Sequence, residues 1–159
     1  MAGKGTPATV VLDREGVAHV LHPYEVPADH TGGYGEAGAA ALGVEPERMY
    51  KTLLADLDGE LVVGVVPVAG SLDLKALATA LGGKKAVMAE PARAERATGM
   101  VVGGISPLGH RAPHRTAVDE TVELWDTVHV SAGRRGLSLE IAPADLLRLT
   151  GAVVADLAR

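Results

Sequence analysis

Tyr50-Lys51-Thr52-Leu53-Leu54-Ala55-Asp56-Leu57-Asp58-Gly59-Glu60-Leu61-Val62-Val63-Gly64-Val65-Val66-Pro67-Val68 consists of two apolar runs hinged on an Asp-Gly pair. A two-residue hairpin turn needs positive φ at both central residues, and Asp-Gly supplies it. The segment therefore predicts an antiparallel hairpin, Tyr50 to Leu57 and Glu60 to Val68. Alternation along the first strand puts Lys51, Leu53 and Ala55 on one face and Tyr50, Thr52 and Leu54 on the other. A single cation thus projects from an otherwise apolar face. It either snorkels to water or enters a pocket to meet a phosphate or a developing oxyanion.

Helices and strands alternate outward from this hairpin. Upstream, Thr6-Pro7 forms an N-cap and first helical position, and the helix stops at Gly16. A strand follows over Val17 to Tyr24, then a polar loop from Glu25 to Gly33 and a short helix, Glu36 to Leu42, closed by Gly43. Downstream come a helix over Leu72 to Leu81, a strand over Lys85 to Met88 and a helix over Glu90 to Thr98. Two later strands, Thr127 to Val130 and Leu137 to Ile141, precede a helix from Pro143 to about Leu149 and a short apolar pair, Val153-Val154. With no repeat and no low-complexity linker, the pattern predicts one α and β domain over residues 1–159.

Composition excludes several classes of function. The chain has no Phe, one Trp (Trp125) and 3% aromatic residues, so its core is aliphatic and it lacks a row of aromatics for base stacking. It has no cysteine, which removes disulfides, thiolate nucleophiles and zinc–thiolate sites together. No apolar run reaches the ~18 residues of a membrane span, and a soluble cytoplasmic protein is expected. The net charge of −5 is unevenly spread: residues 1–83 carry 5 basic and 11 acidic side chains, residues 84–115 carry 6 and 2, and residues 116–159 carry 4 and 7. The basic middle is either a solvated surface or a contact for a polyanion.

That middle also holds Gly99-Met100-Val101-Val102-Gly103-Gly104-Ile105-Ser106-Pro107-Leu108-Gly109, a loop whose main chain can approach a carbonyl or phosphate closely. Other motifs fail on context. Gly33-Tyr-Gly35-Glu-Ala-Gly38 matches a dinucleotide-binding pattern, but a polar loop leads into it and an antiparallel hairpin follows it. Gly83-Lys84 lacks the remainder of a P-loop, and no Gly-x-Ser-x-Gly occurs. His19 and His22 fall on opposite strand faces, while His110 and His114 have no third ligand near them in sequence, so no metal site is expected.

A run of blocks then carries a resemblance over nearly the whole chain. In order they are Thr6-Pro7-Ala8, His22-Pro23-Tyr24, Tyr34-Gly35-Glu36, Tyr50-Lys51-Thr52-Leu53-Leu54, Val68-Ala69-Gly70 with Leu72-Asp73-Leu74-Lys75, Lys84-Lys85, Thr98-Gly99, Val102 to Gly109, and Val130-Ser131 through Arg135-Gly136-Leu137. Together they resemble the YbaK/EbsC family of aminoacyl-tRNA deacylases, related to the editing domain inserted in bacterial prolyl-tRNA synthetases. The branch it most resembles removes cysteine from mischarged proline tRNA.

The resemblance implies an α+β fold, a mixed barrel-like sheet with flanking helices, and the hydrolysis of mischarged tRNA without cofactor or metal. It implies Lys51 and Gly103 as catalytic, with Tyr24, Tyr34, Gly104, Ile105, Ser106, Pro107, Ser131 and Ser138 around the aminoacyl ester. Relatives often carry an acid where Ser138 stands, which opens the question of what replaces that acid. Lys84, Lys85, Arg111, Arg115, Arg134 and Arg135 are the expected tRNA phosphate contacts. The expected partners are the acceptor end of an aminoacyl-tRNA and prolyl-tRNA synthetase, with no membrane.

Such an enzyme answers a physical limit. An activation pocket for proline discriminates against smaller side chains by only about 1–3 kcal/mol, so a second hydrolytic sieve is needed. A cysteinyl ester brings its own thiol, which accounts for a chain with no nucleophile signature. Ala-tRNA(Pro) deacylation by water and a non-catalytic aminoacyl-tRNA-binding or regulatory module are the alternative readings.

Overall fold

The computed structural model describes residues 5–25 and 33–159; the polar loop expected from Glu25 to Gly33 lies almost wholly outside them, as do residues 1–4. The elements run α1 (Pro7–Glu15), β1 (His19–Pro23), α2 (Tyr34–Leu42), β2 (Tyr50–Leu57), β3 (Glu60–Pro67), α3 (Leu74–Ala80), β4 (Ala86–Met88) and α4 (Pro91–Thr98). They continue with β5 (Arg115–Asp119), a 3-10 turn (Glu120–Leu124), β6 (Val128–Ser131), β7 (Leu137–Ile141), α5 (Pro143–Thr150) and β8 (Val153–Ala155).

The β2–β3 hairpin is antiparallel, with Leu57 opposite Glu60 and Tyr50 opposite Pro67. Asp58 and Gly59 have φ of 52° and 95°, the two positive values of a type I′ turn. Asp58 also ties the turn to β4, because its carboxylate accepts the backbone N–H groups of Lys84 and Lys85. At the other end of the chain, Thr6 caps α1 through a reciprocal capping box with Thr9. Its hydroxyl donates to the carbonyl of Ala132, pinning α1 to the segment after β6.

The strands form two sheets, β1-β7-β6 and β4-β2-β3-β5-β8. The barrel-like sheet expected from the resemblance is thus divided, and no closed barrel forms. The reason is in the pairing: β6 pairs along its length with β7, and among the described residues a single bridge, Met49 to His129, joins the sheets. Sequence patterning does not announce β5. It inserts parallel to β3 and to β8 as an interior strand of the larger sheet.

The main core lies between the sheets, where Tyr50, Leu54, Val63, Val65 and Val118 meet Val128, Val130, Leu139 and Ile141. The opposite face of the larger sheet, with Ala55, Leu57, Val62 and Val66, packs on Leu77 and Ala78 of α3. Burying each of the branched side chains is worth about 1.5–3 kcal/mol, so aliphatic residues suffice without Phe. Among the described residues, no helix is long and apolar enough to cross a membrane.

Candidate active site

Several segments meet at one cavity of about 360 Å³, within the usual range for small-molecule sites. β2 contributes Tyr50 to Leu54, the loop after α4 contributes Val102, Gly103 and Ile105, and β6 and β7 contribute Val130, Ser131 and Ser138. Tyr24 follows β1, and Tyr34 opens α2. Met88, Ala89, Pro91 and Ala94 form an apolar wall on β4 and α4 that sequence reasoning does not identify. Of the expected site residues, the cavity gathers Tyr24, Tyr34, Lys51, Gly103, Ile105, Ser131 and Ser138; Gly104, Ser106 and Pro107 fall within the loop but not on its lining.

No acidic residue lines this cavity among the described residues, and Lys51 makes neither an ion pair nor a side-chain hydrogen bond there. A half-buried lysine without a protein partner lines a largely apolar enclosure, an arrangement suited to an anionic ligand group. Burial pushes the phenols of Tyr24 and Tyr50 above their ordinary pKa, so both are neutral donors at neutral pH. Tyr50 Oη shares a hydrogen bond of 2.8 Å with Thr121 Oγ1. Thr52 Oγ1 is buried with no partner.

The glycine-rich loop is held together by its own polar groups. Glu95 accepts the N–H of Val102, Val101 O accepts that of Gly104, Met100 Sδ accepts that of Ser106, and Ser106 Oγ accepts that of Leu108. His110 Nε2 contacts Ser106 O, and burial lowers the pKa of His110 below its usual value. Between these bonds the backbone N–H groups of Gly103 and Ile105 have no protein partner. Both residues line the cavity, and a pair of unpartnered backbone amides there can receive a carbonyl oxygen or an oxyanion. Gly103 has φ of 91° and lies against the Tyr34 ring. Arg135 stacks on that ring at 4.4 Å while its Nε donates to Val102 O.

The remaining cations are spread more widely. Arg134 backs onto Gly104, and the Arg111 guanidinium lies over Gly99, both beside the loop. Lys84 and Lys85 precede β4, whose last residue, Met88, is on the cavity wall. Arg115 is committed to a bidentate pair with Glu60 and to Leu81 O.

Next to Ser131 and Ser138, His22, His129 and Glu140 form a cluster that no local motif reveals. Cross-strand register brings them together, with His22 opposite Ser138 and His129 opposite Glu140. Alternation carries the signal, since His129 and Ser131 share one face of β6 and Ser138 and Glu140 share one face of β7.

An antiparallel sheet and a mixed sheet thus surround an apolar cavity that carries a lysine and two backbone amides without protein partners, groups suited to an anionic or carbonyl-bearing ligand. The aminoacyl-tRNA editing domain family matches residues 31–149, and the chain belongs to that family. It is an enzyme of the aminoacyl-tRNA deacylase class. It is 34% identical over 154 residues to EbsC of Enterococcus faecalis, a candidate Cys-tRNA(Pro)/Cys-tRNA(Cys) deacylase, covering 96% of this chain and 92% of that one. It is 28% identical over 115 residues to the multifunctional Ser/Thr-tRNA deacylase ProXp-y of Escherichia coli, covering 72% and 69%. A crystal structure of a candidate trans-editing enzyme for prolyl-tRNA synthetase superposes with a TM-score of 0.82 at 27% identity, covering 99% of both chains.

Proposed function

We propose that the chain, acting as one editing domain, deacylates Cys-tRNA(Pro) in trans. One observation carries this reading: an unpartnered Lys51 and the unpartnered amides of Gly103 and Ile105 border a single cavity. The amides receive the ester carbonyl as it becomes an oxyanion. Lys51 holds the phosphate or ribose of the terminal nucleotide, and Tyr24, Tyr34 and Ser131 bound the aminoacyl group. The cysteinyl sulfur attacks its own ester carbonyl and expels the tRNA ribose, which suits a cavity wall without a carboxylate or thiol. Similarity to EbsC favours cysteine as the acyl group, and the trans-editing structural relative favours prolyl-tRNA synthetase as the partner that selects the tRNA.

A panel of Cys-, Ala-, Ser-, Thr- and Pro-charged tRNA under single-turnover conditions tests the reading. Cys-tRNA(Pro) is expected to be hydrolysed fastest, and Lys51→Ala to lose both binding and turnover. Equal rates for the cysteinyl and seryl esters would assign the attack to water instead. The latter result would align the chain with the Ser/Thr deacylase relative.

A further inference from the structure

Ser138 differs from the other hydroxyls on the cavity wall. Tyr50 Oη bonds Thr121, Ser131 Oγ accepts the N–H of Gly133, and Thr52 Oγ1 has no partner. Ser138 Oγ lies 3.2 Å from Nδ1 of His129, a buried imidazole one cross-strand pair along from the cavity-lining Ser131 and Ser138. One ring nitrogen each of His22 and His129 and one carboxylate oxygen of Glu140 lie within 4.8 Å of one another. Glu140 is itself fixed, accepting from the Thr127 hydroxyl at 2.6 Å, from Arg48 at 3.2 Å, and lying 2.8 Å from His22 Nε2. Ser138 Oγ on the cavity wall is thus paired with the His129 imidazole, and the Glu140 carboxylate, bonded to His22, Thr127 and Arg48, lies close enough to bias the charge of that imidazole.

We propose that Ser138 and His129 form the proton-accepting pair of this site, Ser138 touching the substrate and His129 acting through it as a positioning residue. The inference rests on the deacylase reading above. As the substrate sulfur bonds to the ester carbonyl carbon, its proton passes to Ser138 Oγ, and the Ser138 proton passes to His129 Nδ1. The bond from that carbon to the ribose oxygen then breaks, and the leaving oxygen takes the proton back by the reverse path. Water then hydrolyses the released cyclic thioester to cysteine. A water nucleophile uses the same pair. Glu140 offsets the charge that His129 gains transiently.

The ionisable groups facing His129 are Glu140 on β7, His22 on β1, and Arg48 and Glu45 between α2 and β2. Burial dominates among the influences on His129 and lowers its pKa, with Glu140 opposing and His22 and Arg48 reinforcing the shift. His129 is consequently neutral at pH 7 and free to accept a proton. Acid removes that capacity.

The test is single-turnover deacylation of Cys-tRNA(Pro) across pH for the wild type and for His129→Gln, Ser138→Ala, Ser138→Thr and His22→Gln. Loss of a general base costs about 100-fold or more, so His129→Gln and Ser138→Ala are each expected to slow by that factor, and their combination to be no slower. Ser138→Thr retains the hydroxyl and most of the rate. The wild-type rate falls on the acid side of about pH 6.5; that limb persists in His22→Gln and vanishes in His129→Gln. An unchanged acid limb in folded His129→Gln overturns the pair, as does Ser138→Ala matching Ser138→Thr; the serine variants decide alone if His129→Gln does not fold. Either result leaves the deacylase reading intact. A wild-type protein inactive on every ester of the panel overturns both.

Discussion

Replacing Gly103 with alanine puts the loop and the Tyr34 ring on the cavity wall in conflict. Gly103 has φ of 91°, and a Cβ there would stand 2.4 Å from Cδ2 of Tyr34. Holding a non-glycine residue in that region costs about 1–3 kcal/mol. The Tyr34 ring is partly exposed and can swing away, but doing so breaks its stacking with Arg135, worth about 0.5–1 kcal/mol. The sum, about 1.5–4 kcal/mol, corresponds to a 10- to 1,000-fold smaller population of the loop conformation that exposes the Gly103 and Ile105 amides.

Gly82→Ala separates strain from contact. Gly82 has φ of 73° and nothing within 4 Å of the point where a methyl group would stand, so alanine there incurs only the backbone cost, about 1–2 kcal/mol. Thermal melts and single-turnover deacylation of Cys-tRNA(Pro) are measured on both variants. Gly82→Ala is expected to melt lower with wild-type deacylation, and Gly103→Ala to lose at least about tenfold in rate. A Gly103→Ala enzyme within about twofold of wild type would refute the assignment of these amides to the ester.

Asp119, buried at the end of β5, accepts the N–H groups of Leu157 and Ala158 and both polar groups of Thr121. Burial raises its pKa, but these hydrogen bonds outweigh it and hold the carboxyl below its ordinary value. The resulting stability is complete above the unfolded pKa of about 3.9 and is lost as pH falls through the folded value; Asp119→Ala removes about 2–4 kcal/mol at pH 7, read by urea unfolding. For His110, burial lowers the pKa, so stability present above about pH 6.5 declines as the pH drops below it. Hydrogen exchange at about pH 5.5 is expected to show the amides of Ser106 and Leu108 opening before the β2–β3 hairpin. Lys84, Lys85, Arg111 and Arg134 make no ion pair among the described residues; if they meet phosphates, log K for tRNA falls with log salt at a slope of about −3, at roughly 0.7–0.9 per contact, and a flat response would exclude them.

Local signals locate most elements because each is terminated by its own chemistry: Asp58-Gly59 turns the hairpin, Thr6 starts α1, and Gly16 and Gly43 end α1 and α2. β5 carries no such punctuation. Its Thr116-Ala117-Val118 lies between a loop of His, Arg and Pro and an acidic turn, and its strand character comes from two parallel neighbours distant in sequence. The same distinction governs the site. Lys51 and the glycine-rich loop are legible one segment at a time, because a lone cation on an apolar strand and a run of glycines are local anomalies. His129 and Glu140 are unremarkable in their own strands, and only the pairing of β6 with β7 sets the imidazole behind Ser138. Ser138 is legible only through the family resemblance, which implies an acid at its position. On the pairing proposed above, the buried His129 imidazole 3.2 Å from Ser138 Oγ carries the proton-accepting capacity that a serine lacks by itself.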